Sequence, residues 1–344
     1  MSTNTPNSSK TDFDQSRQRL NRRGFIHSAA ALPFAGSVMA ASQCTAAKVA
    51  VGPPIIDTHM HVWANDPIEF PFPYPYNKEF TYANVPTEGT VEMLIRDMDQ
   101  YGCTHAVLVQ VIYHGWDNSY VADCVRRYPD RLKAHGLIDP TDPQVANKLE
   151  YWMKEHGLHG MRFSPIYYQD GGHGGDGWLD APETHALWRM AEKLGAVFNF
   201  FIGASQLPKL ATMLRAHPDV QITIDHLSQI DFGVEDPEPD LRSLLSMAKY
   251  PNAYVKVSEL TSVSASGEYP FPDVYPYVKR VYEAFGPDRL LFGTGYPGAA
   301  RAHYERPTLG KEIELVRDLM PFFSPEDREK ILGRNAQALW GFVG

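Results

Sequence analysis

From Pro53 onward the chain alternates short apolar runs with segments of helical period, and it does so eight times. The runs at 54–60, 104–112, 132–138, 158–163, 196–202, 220–226, 253–259 and 289–294 predict strands. Helical spacing predicts helices near 90–101, 118–128, 143–156, 182–194, 206–216, 239–249, 273–285 and 308–320, and a further helix at 325–341 closes the chain. Strands apolar on both faces, separated by amphipathic helices, describe a parallel sheet covered by helices. Eight such repeats predict an α/β fold of the (β/α)8, or TIM, barrel type with an additional C-terminal helix, occupying 53–344. No Gly-x-Gly-x-x-Gly follows the first run, which weakens the alternative of an open nucleotide-binding sheet.

Helix boundaries carry matching signals. Thr90 and Asn118 stand where N-caps are expected. Gly102, Gly195 and Gly286 stand where helices should stop. Ser324-Pro325 opens the last helix with a capping hydroxyl and a proline at the first helical position.

Residues 1–45 read as a leader rather than as part of the barrel. A polar stretch ends at Arg22-Arg23-Gly24-Phe25-Ile26, and a mildly apolar, Ala-rich segment runs from Ser28 to Ala41. Paired arginines, a modest hydrophobic region and small residues near a cut site are the layout of a twin-arginine export signal. The expected destination is periplasmic or otherwise extracytoplasmic, in a bacterial source. Cys103 and Cys124 are expected to be buried free thiols, and no Cys-x-x-Cys marks a zinc ribbon or a redox pair. A net charge of −9 argues against a nucleic-acid partner, and no apolar run reaches the roughly 20 residues needed to span a membrane. Self-association is left open.

In such barrels chemistry gathers at the carboxyl ends of the strands. His59 and His61 sit two apart at the end of the first strand, so both imidazoles point to one face. That pair suits a metal ion or a polarised substrate oxygen. Arg162 ends the fourth strand, and a guanidinium inside a barrel needs a partner. Its planar fork fits a substrate carboxylate, or a salt bridge to an internal acid such as Asp57. Lys256 shares a face with Ser258 and Tyr254, whereas Glu259 is expected on the opposite face. Tyr113, His114, Trp116 and Asp117 crowd the loop after the second strand. Tyr113, Trp116, Arg162 and Lys256 are the candidate substrate-binding residues, and His114 and His173 are mouth-loop acid/base candidates. An aromatic loop from Asn65 to Pro86, with Phe70, Phe72, Tyr74, Tyr76, Phe80 and Tyr82, and the glycine tract from Gly171 to Trp178 either cap the barrel or form a lid over a small substrate. No Gly-x-Ser-x-Gly appears, so covalent catalysis by a lipase-type serine is not expected.

Asp57-Thr58-His59-Met60-His61, Gly160-Met161-Arg162, Ile224-Asp225-His226-Leu227, Lys256-Val257-Ser258 and Phe292-Gly293-Thr294-Gly295-Tyr296-Pro297 occur in that order on strands 1, 4, 6, 7 and 8. In this the chain resembles the amidohydrolase superfamily, in particular the amidohydrolase-related branch containing lactonases and ring-carboxylate decarboxylases. The resemblance implies one divalent metal, usually zinc, held by the strand-1 histidines, a histidine ending strand 5 and an aspartate ending strand 8 that is also the general base. Two positions depart from that pattern: the strand-5 slot falls on Phe201 and the strand-8 slot on Gly295. His59 and His61 then supply two metal ligands, and His226 a third only if the metal shifts toward strand 6.

The function expected is a hydrolase that adds water to an ester, lactone or amide of a small, carboxylated substrate, with lactonase-like activity favoured. Arg162 would hold the carboxylate. His59, His61 and His226 would polarise the carbonyl or position the water. A non-oxidative decarboxylase of the same branch and an exported, non-catalytic binding barrel are the alternatives.

Overall fold

The computed structural model describes residues 52–75, 88–297 and 306–343. The leader and Tyr76, Phe80 and Tyr82 of the aromatic loop lie outside them. Eight strands, β1 (Ile56–Met60), β2 (His105–Val109), β3 (Leu132–Leu137), β4 (Gly160–Phe163), β5 (Val197–Phe200), β6 (Gln221–Ile224), β7 (Ala253–Val257) and β8 (Leu290–Phe292), pair in sequence order, each neighbour parallel. The ring closes between β8 and β1. Thr58 Oγ1 donates to the Phe292 carbonyl at 2.7 Å, and the Gly295 and His61 amides donate to the His59 and Tyr296 carbonyls, each at 2.7 Å.

Helices α1 (Val91–Tyr101), α2 (Ser119–Arg127), α3 (Val145–His156), α4 (His185–Leu194), α5 (Leu207–Ala216), α6 (Glu238–Ser246), the short α7 (Leu260–Val263), α8 (Tyr275–Phe285) and α9 (Leu309–Glu314) follow the strands. Leu94, Met98, Trp188, Leu210, Leu244 and Val281 bury the inner stripes of the longer ones. The periodicity found these helices because burying that stripe is what holds each one in place. Thr90 caps α1 through the Met93 amide, and Gly102 and Gly195 end their helices in the left-handed conformation. Asn118 does not cap α2. Its amide pairs with both backbone groups of Leu137, at 2.9 and 2.7 Å, and Asp117 takes the Ser119 amide instead.

The expected C-terminal helix is α10 (Pro325–Glu329) and α11 (Asn335–Trp340), joined through a wide π turn over Lys330–Arg334. Gly333 lies in that turn because any Cβ there would collide with the Pro54 carbonyl. α11 plugs the amino-terminal end of the barrel. Trp340, Ala336 and Phe342 pack on Ile56, Val107, Val197 and Leu291, and the Trp340 indole donates to His135 Nε2 at 2.8 Å. Cys103 and Cys124 are free and buried. No helix among the described residues is long and apolar enough to cross a membrane.

Six strands end one to three residues earlier than the apolar runs suggested: β2 at Val109, β3 at Leu137, β5 at Phe200, β6 at Ile224, β7 at Val257 and β8 at Phe292. β1 carries a bulge between Asp57 and Met60, where its register against β2 slips by one residue. Both irregularities lie toward the carboxyl ends, and both re-aim side chains.

Candidate active site

The β1 bulge decides which way the histidines face. Ile56 points into the lower barrel among the residues stacked on α11, and strict alternation would put Met60 there too. The extra residue reverses the phase. Met60 turns outward into the helix layer, and His59 and His61 turn into the mouth with ring centroids 4.8 Å apart. His226 joins them, its ring 4.4 Å from that of His59.

His226 arrives by an unusual path. Leaving β6, residues His226, Leu227, Ser228 and Gln229 all adopt positive φ, at 49°, 52°, 59° and 53°. Left-handed backbone costs a non-glycine residue roughly 1–2 kcal/mol, so this turn persists only because its surroundings hold it. The Ser228 amide donates to the Asp225 carbonyl at 2.9 Å, and its hydroxyl to the Ile202 carbonyl at 3.0 Å. Strain of this kind concentrates at functional sites.

Beneath the imidazoles lies a fully buried charge cluster centred on Asp225. Its Oδ1 meets His59 Nδ1 and Lys256 Nζ, each at 3.1 Å. Its Oδ2 accepts from Asn199 Nδ2 at 2.6 Å and faces Arg162 Nε at 3.5 Å. Burial would raise the Asp225 carboxyl, yet the His59 ring and the Lys256 ammonium hold it well below the usual carboxylate range. Lys256 also donates to Asn199 Oδ1. Its 3.2 Å approach to His59 Nδ1 brings together two donors that share one carboxylate oxygen.

Each mouth imidazole is anchored through Nδ1: His59 on Asp225, His61 on the Val109 carbonyl at 2.7 Å, and His226 on the Ser258 hydroxyl at 2.8 Å. That leaves Nε2 of each ring for a ligand, and His59 Nε2 is buried with no partner. Burial lowers His61 to about 4, helped by Arg162, and lowers His59 and His226 below the ordinary imidazole value, so all three rings are neutral at pH 7. Asp57 is held elsewhere, by the Thr294 hydroxyl at 2.6 Å and the His59 amide at 2.8 Å. Burial raises it to about 7. The partner of Arg162 inside the barrel is therefore Asp225 and not Asp57.

Arg162 keeps unbonded donors among the described residues. Its guanidinium lies over the Phe201 ring at 4.7 Å, and its terminal nitrogens bond no described residue. Phe201, the strand-5 slot of the resemblance, does face the site, edge-on to His226. Beside Arg162, Trp116, Ser164 and Tyr168 line a pocket with room for about one water molecule, about 10 Å³. Tyr113 packs instead among Trp63, Phe72 and Tyr74 of the aromatic loop. His114 is buried as a staple of that loop, Nδ1 on the Pro71 carbonyl and Nε2 on the Ala64 amide, which removes it as an acid/base candidate. His173 lies on the exposed glycine tract.

Glu259 corrects the sequence expectation most. It was expected on the face away from Lys256 and Ser258. β7 ends at Val257, and Glu259 takes a left-handed conformation, φ 51°, that swings its side chain into the mouth. There it pairs with Arg306 at 2.7 Å. Burial would raise its carboxyl, but Arg306 holds it at about 2, and its charge acts on His61 and His226. Asp225, Asn199, Ser258, Glu259 and Arg306 complete the site beyond the residues that the sequence pattern marks. Asp225 had a signal in its place beside His226; Arg306 had none.

The donor set does not suit a resident divalent cation. His59, Asp225 and His226 bring ligand atoms within 4.8 Å of one another, a group that does not include His61. Of these, Asp225 already binds an ammonium, an amide and an imidazole, and Lys256 Nζ lies 3.1 Å from its Oδ1 and 3.2 Å from the His59 ring at Nδ1. A dication would sit against a buried ammonium and compete with it for the Asp225 carboxylate.

Residues 56–342 match the sequence profile of the amidohydrolase family. The 4-sulfomuconolactone hydrolase of Hydrogenophaga intermedia is 27% identical over 292 residues, covering 83% of this chain and 88% of the relative. The L-fucono-1,5-lactonase of Burkholderia ambifaria is 24% identical, covering 82% and 93%. A crystal structure of a probable 2-pyrone-4,6-dicarboxylic acid hydrolase from Acinetobacter baumannii, with citric acid bound, superposes with a TM-score of 0.67 at 24% identity, covering 84% of this chain and 99% of that one.

Proposed function

The chain belongs to the amidohydrolase family, and from that premise we propose that it hydrolyses a small lactone bearing a carboxylate. One observation carries the reading. Arg162 offers unbonded, planar donors, braced from behind by Asp225 and Phe201, beside three neutral imidazoles whose Nε2 atoms are free for a ligand. Two relatives act on lactones by name, and the structural relative holds a tricarboxylate.

In this reading Arg162 grips the substrate carboxylate through two charge-assisted bonds and fixes the ring in the mouth. His226 Nδ1 shares a 2.8 Å bond with the Ser258 hydroxyl; in the tautomer in which that hydroxyl donates, His226 carries its proton on Nε2 and donates it to the lactone carbonyl. Negative charge that develops on that oxygen during water attack is stabilised by this bond and by the nearby guanidinium. Asp225 holds His59 with its Nδ1 proton, which leaves an Nε2 lone pair to accept from water or a substrate hydroxyl. Lactones suit a site of this kind better than amides because the ring oxygen leaves more readily than an amine.

The test is turnover of a panel of lactones, with and without a carboxylate, by wild type, Arg162→Met and His59→Ala. Losing two charged hydrogen bonds, at about 1.5–3 kcal/mol each, should raise KM for carboxylated lactones by at least tenfold in Arg162→Met and leave neutral lactones little changed. Equal KM for both classes in wild type and variant would refute the role of Arg162. Ligand binding without turnover in wild type would make the barrel a binding module.

A further inference from the structure

The lactonase reading leaves unassigned the group that takes the proton from water, and Gly295 is the place to look for it. Gly295 is buried at the end of β8, φ 69°, with its amide bonded to the His59 carbonyl. A side chain there would enter the mouth beside His59, and that space is already filled. A Cβ built on Gly295 collides with Glu259 Oε1 and lies 2.8 Å from Cδ and 3.0 Å from Cγ of the same side chain. The carboxylate of Glu259, reaching across from β7, occupies the volume that the first atoms of a residue at 295 would need.

The other buried acids around the histidines are committed. Both Asp225 oxygens carry bonds to His59, Lys256 and Asn199, and both Asp57 oxygens accept from Thr294 or the His59 amide. Glu259 has one oxygen to spare. Arg306 takes Oε2, whereas Oε1 accepts from no described residue. Holding Glu259 in its left-handed conformation requires compensation, and the hydroxyl and amide of Ser262, each donating to the Glu259 carbonyl at 2.8 Å, supply it.

We propose that Glu259 supplies the reactive carboxylate of this mouth, in the slot left open by Gly295, and that Oε1 holds the attacking water and takes its proton. This rests on the lactonase reading. As the water oxygen bonds to the lactone carbonyl carbon, one water proton passes to Oε1 and the carbonyl π pair moves onto oxygen, next to the His226 donor. Collapse of that tetrahedral adduct restores the C=O and breaks the ring C–O bond. The departing ring oxygen takes the proton back from Glu259, giving the ring-opened hydroxy acid with the carboxylate restored. Arg306 is a positioning residue that keeps the carboxylate turned toward Gly295.

Two measurements on the full chain test this. In the first, Glu259→Gln keeps the bond to Arg306 and should lower kcat at least 100-fold on any lactone the wild type opens, with KM within about threefold. Moving the carboxylate, in Glu259→Gly combined with Gly295→Asp, should recover at least tenfold over Glu259→Gly alone. A Glu259→Gln variant with wild-type kcat, on a lactone that wild type turns over, overturns the proposal and leaves the lactonase reading standing. A wild type that opens no lactone removes that reading and the base role with it. The second measurement needs no substrate. Gly295→Asp alone should lower Tm, because φ 69° strains any side chain and because two carboxylates then contend for one volume, and adding Glu259→Gly should restore the part due to the shared volume, so that the double variant melts above the sum of the two single changes. Additive Tm changes overturn the shared slot whatever the activity.

Discussion

Replacing Asp225 with Asn keeps the shape of the side chain and removes one charge from the centre of a fully buried cluster. Lys256 Nζ and His59 Nδ1 each lie 3.1 Å from Oδ1, and both residues have no exposed surface. An asparagine oxygen can still accept from some of these donors, but its NH2 must then face Asn199 Nδ2 or Lys256, placing donor against donor. Breaking a buried pair by removing one partner costs roughly 3–5 kcal/mol, because the remaining charge stays desolvated. A barrel of about 290 residues loses roughly 1.5–2 °C of Tm per kcal/mol, so Asp225→Asn should melt roughly 5–10 °C below wild type. The second arm is Lys256→Met in the same background. It removes the stranded ammonium, so the double variant should be more stable than Asp225→Asn alone. Thermal unfolding by circular dichroism at pH 7 reads both arms. A Tm loss under 2 °C for Asp225→Asn, or a double variant that simply adds the two single losses, would refute the account of this cluster as an interdependent ion pair.

Two further outcomes follow from the same chemistry. His61 and His114 are each lowered to about 4 by burial, below the 6.5 of an unfolded histidine, so between pH 6.5 and 4 the unfolded chain binds more protons than the folded one. Stability should therefore fall as pH falls through that window, by up to about 3 kcal/mol for each histidine. Asp57, raised to about 7, binds a proton in the folded state between pH 4 and 7 and offsets part of this. A Tm that holds steady or rises from pH 6.5 to 4.5 would contradict the burial of the neutral rings. Prolonged dialysis against a strong chelator should leave lactone turnover within about twofold of the untreated enzyme; loss of activity that zinc restores would refute the reading of the His59, Asp225 and His226 donor set.

The barrel was legible because its two periodicities are enforced by burial all the way around. Apolar runs such as Ala253–Val257 and stripes such as Leu94 and Met98 must be buried wherever the chain places them, and period alone reports that. The mouth was legible only in part. His59, His61, Arg162, His226 and Lys256 stand out as charged or titratable residues at apolar strand ends, and the structure brings them together. What the pattern could not report is the backbone after a strand stops. Extending β7 by two residues assigned Glu259 to the wrong face, because a strand fixes side-chain direction by parity and a left-handed residue resets it. The β1 bulge is the same kind of event: His59 and His61 share a face as their spacing says, but the slip determines that the face is the mouth. Asn118 resembled a helix cap by position and serves as a strand partner, since the Leu137 backbone offers it two bonds at once.

The Trp340 plug has a kinetic consequence. With the floor of the barrel sealed by α11 against Ile56 and Leu291, reactant, solvent and ring-opened acid all pass through the same opening. Each product molecule carries the carboxylate that Arg162 grips plus the new one made by ring opening, so it must release the guanidinium before another reactant can dock. Accumulated product should then act as a competitive inhibitor, and the enzyme should run fastest where its product is consumed or carried away.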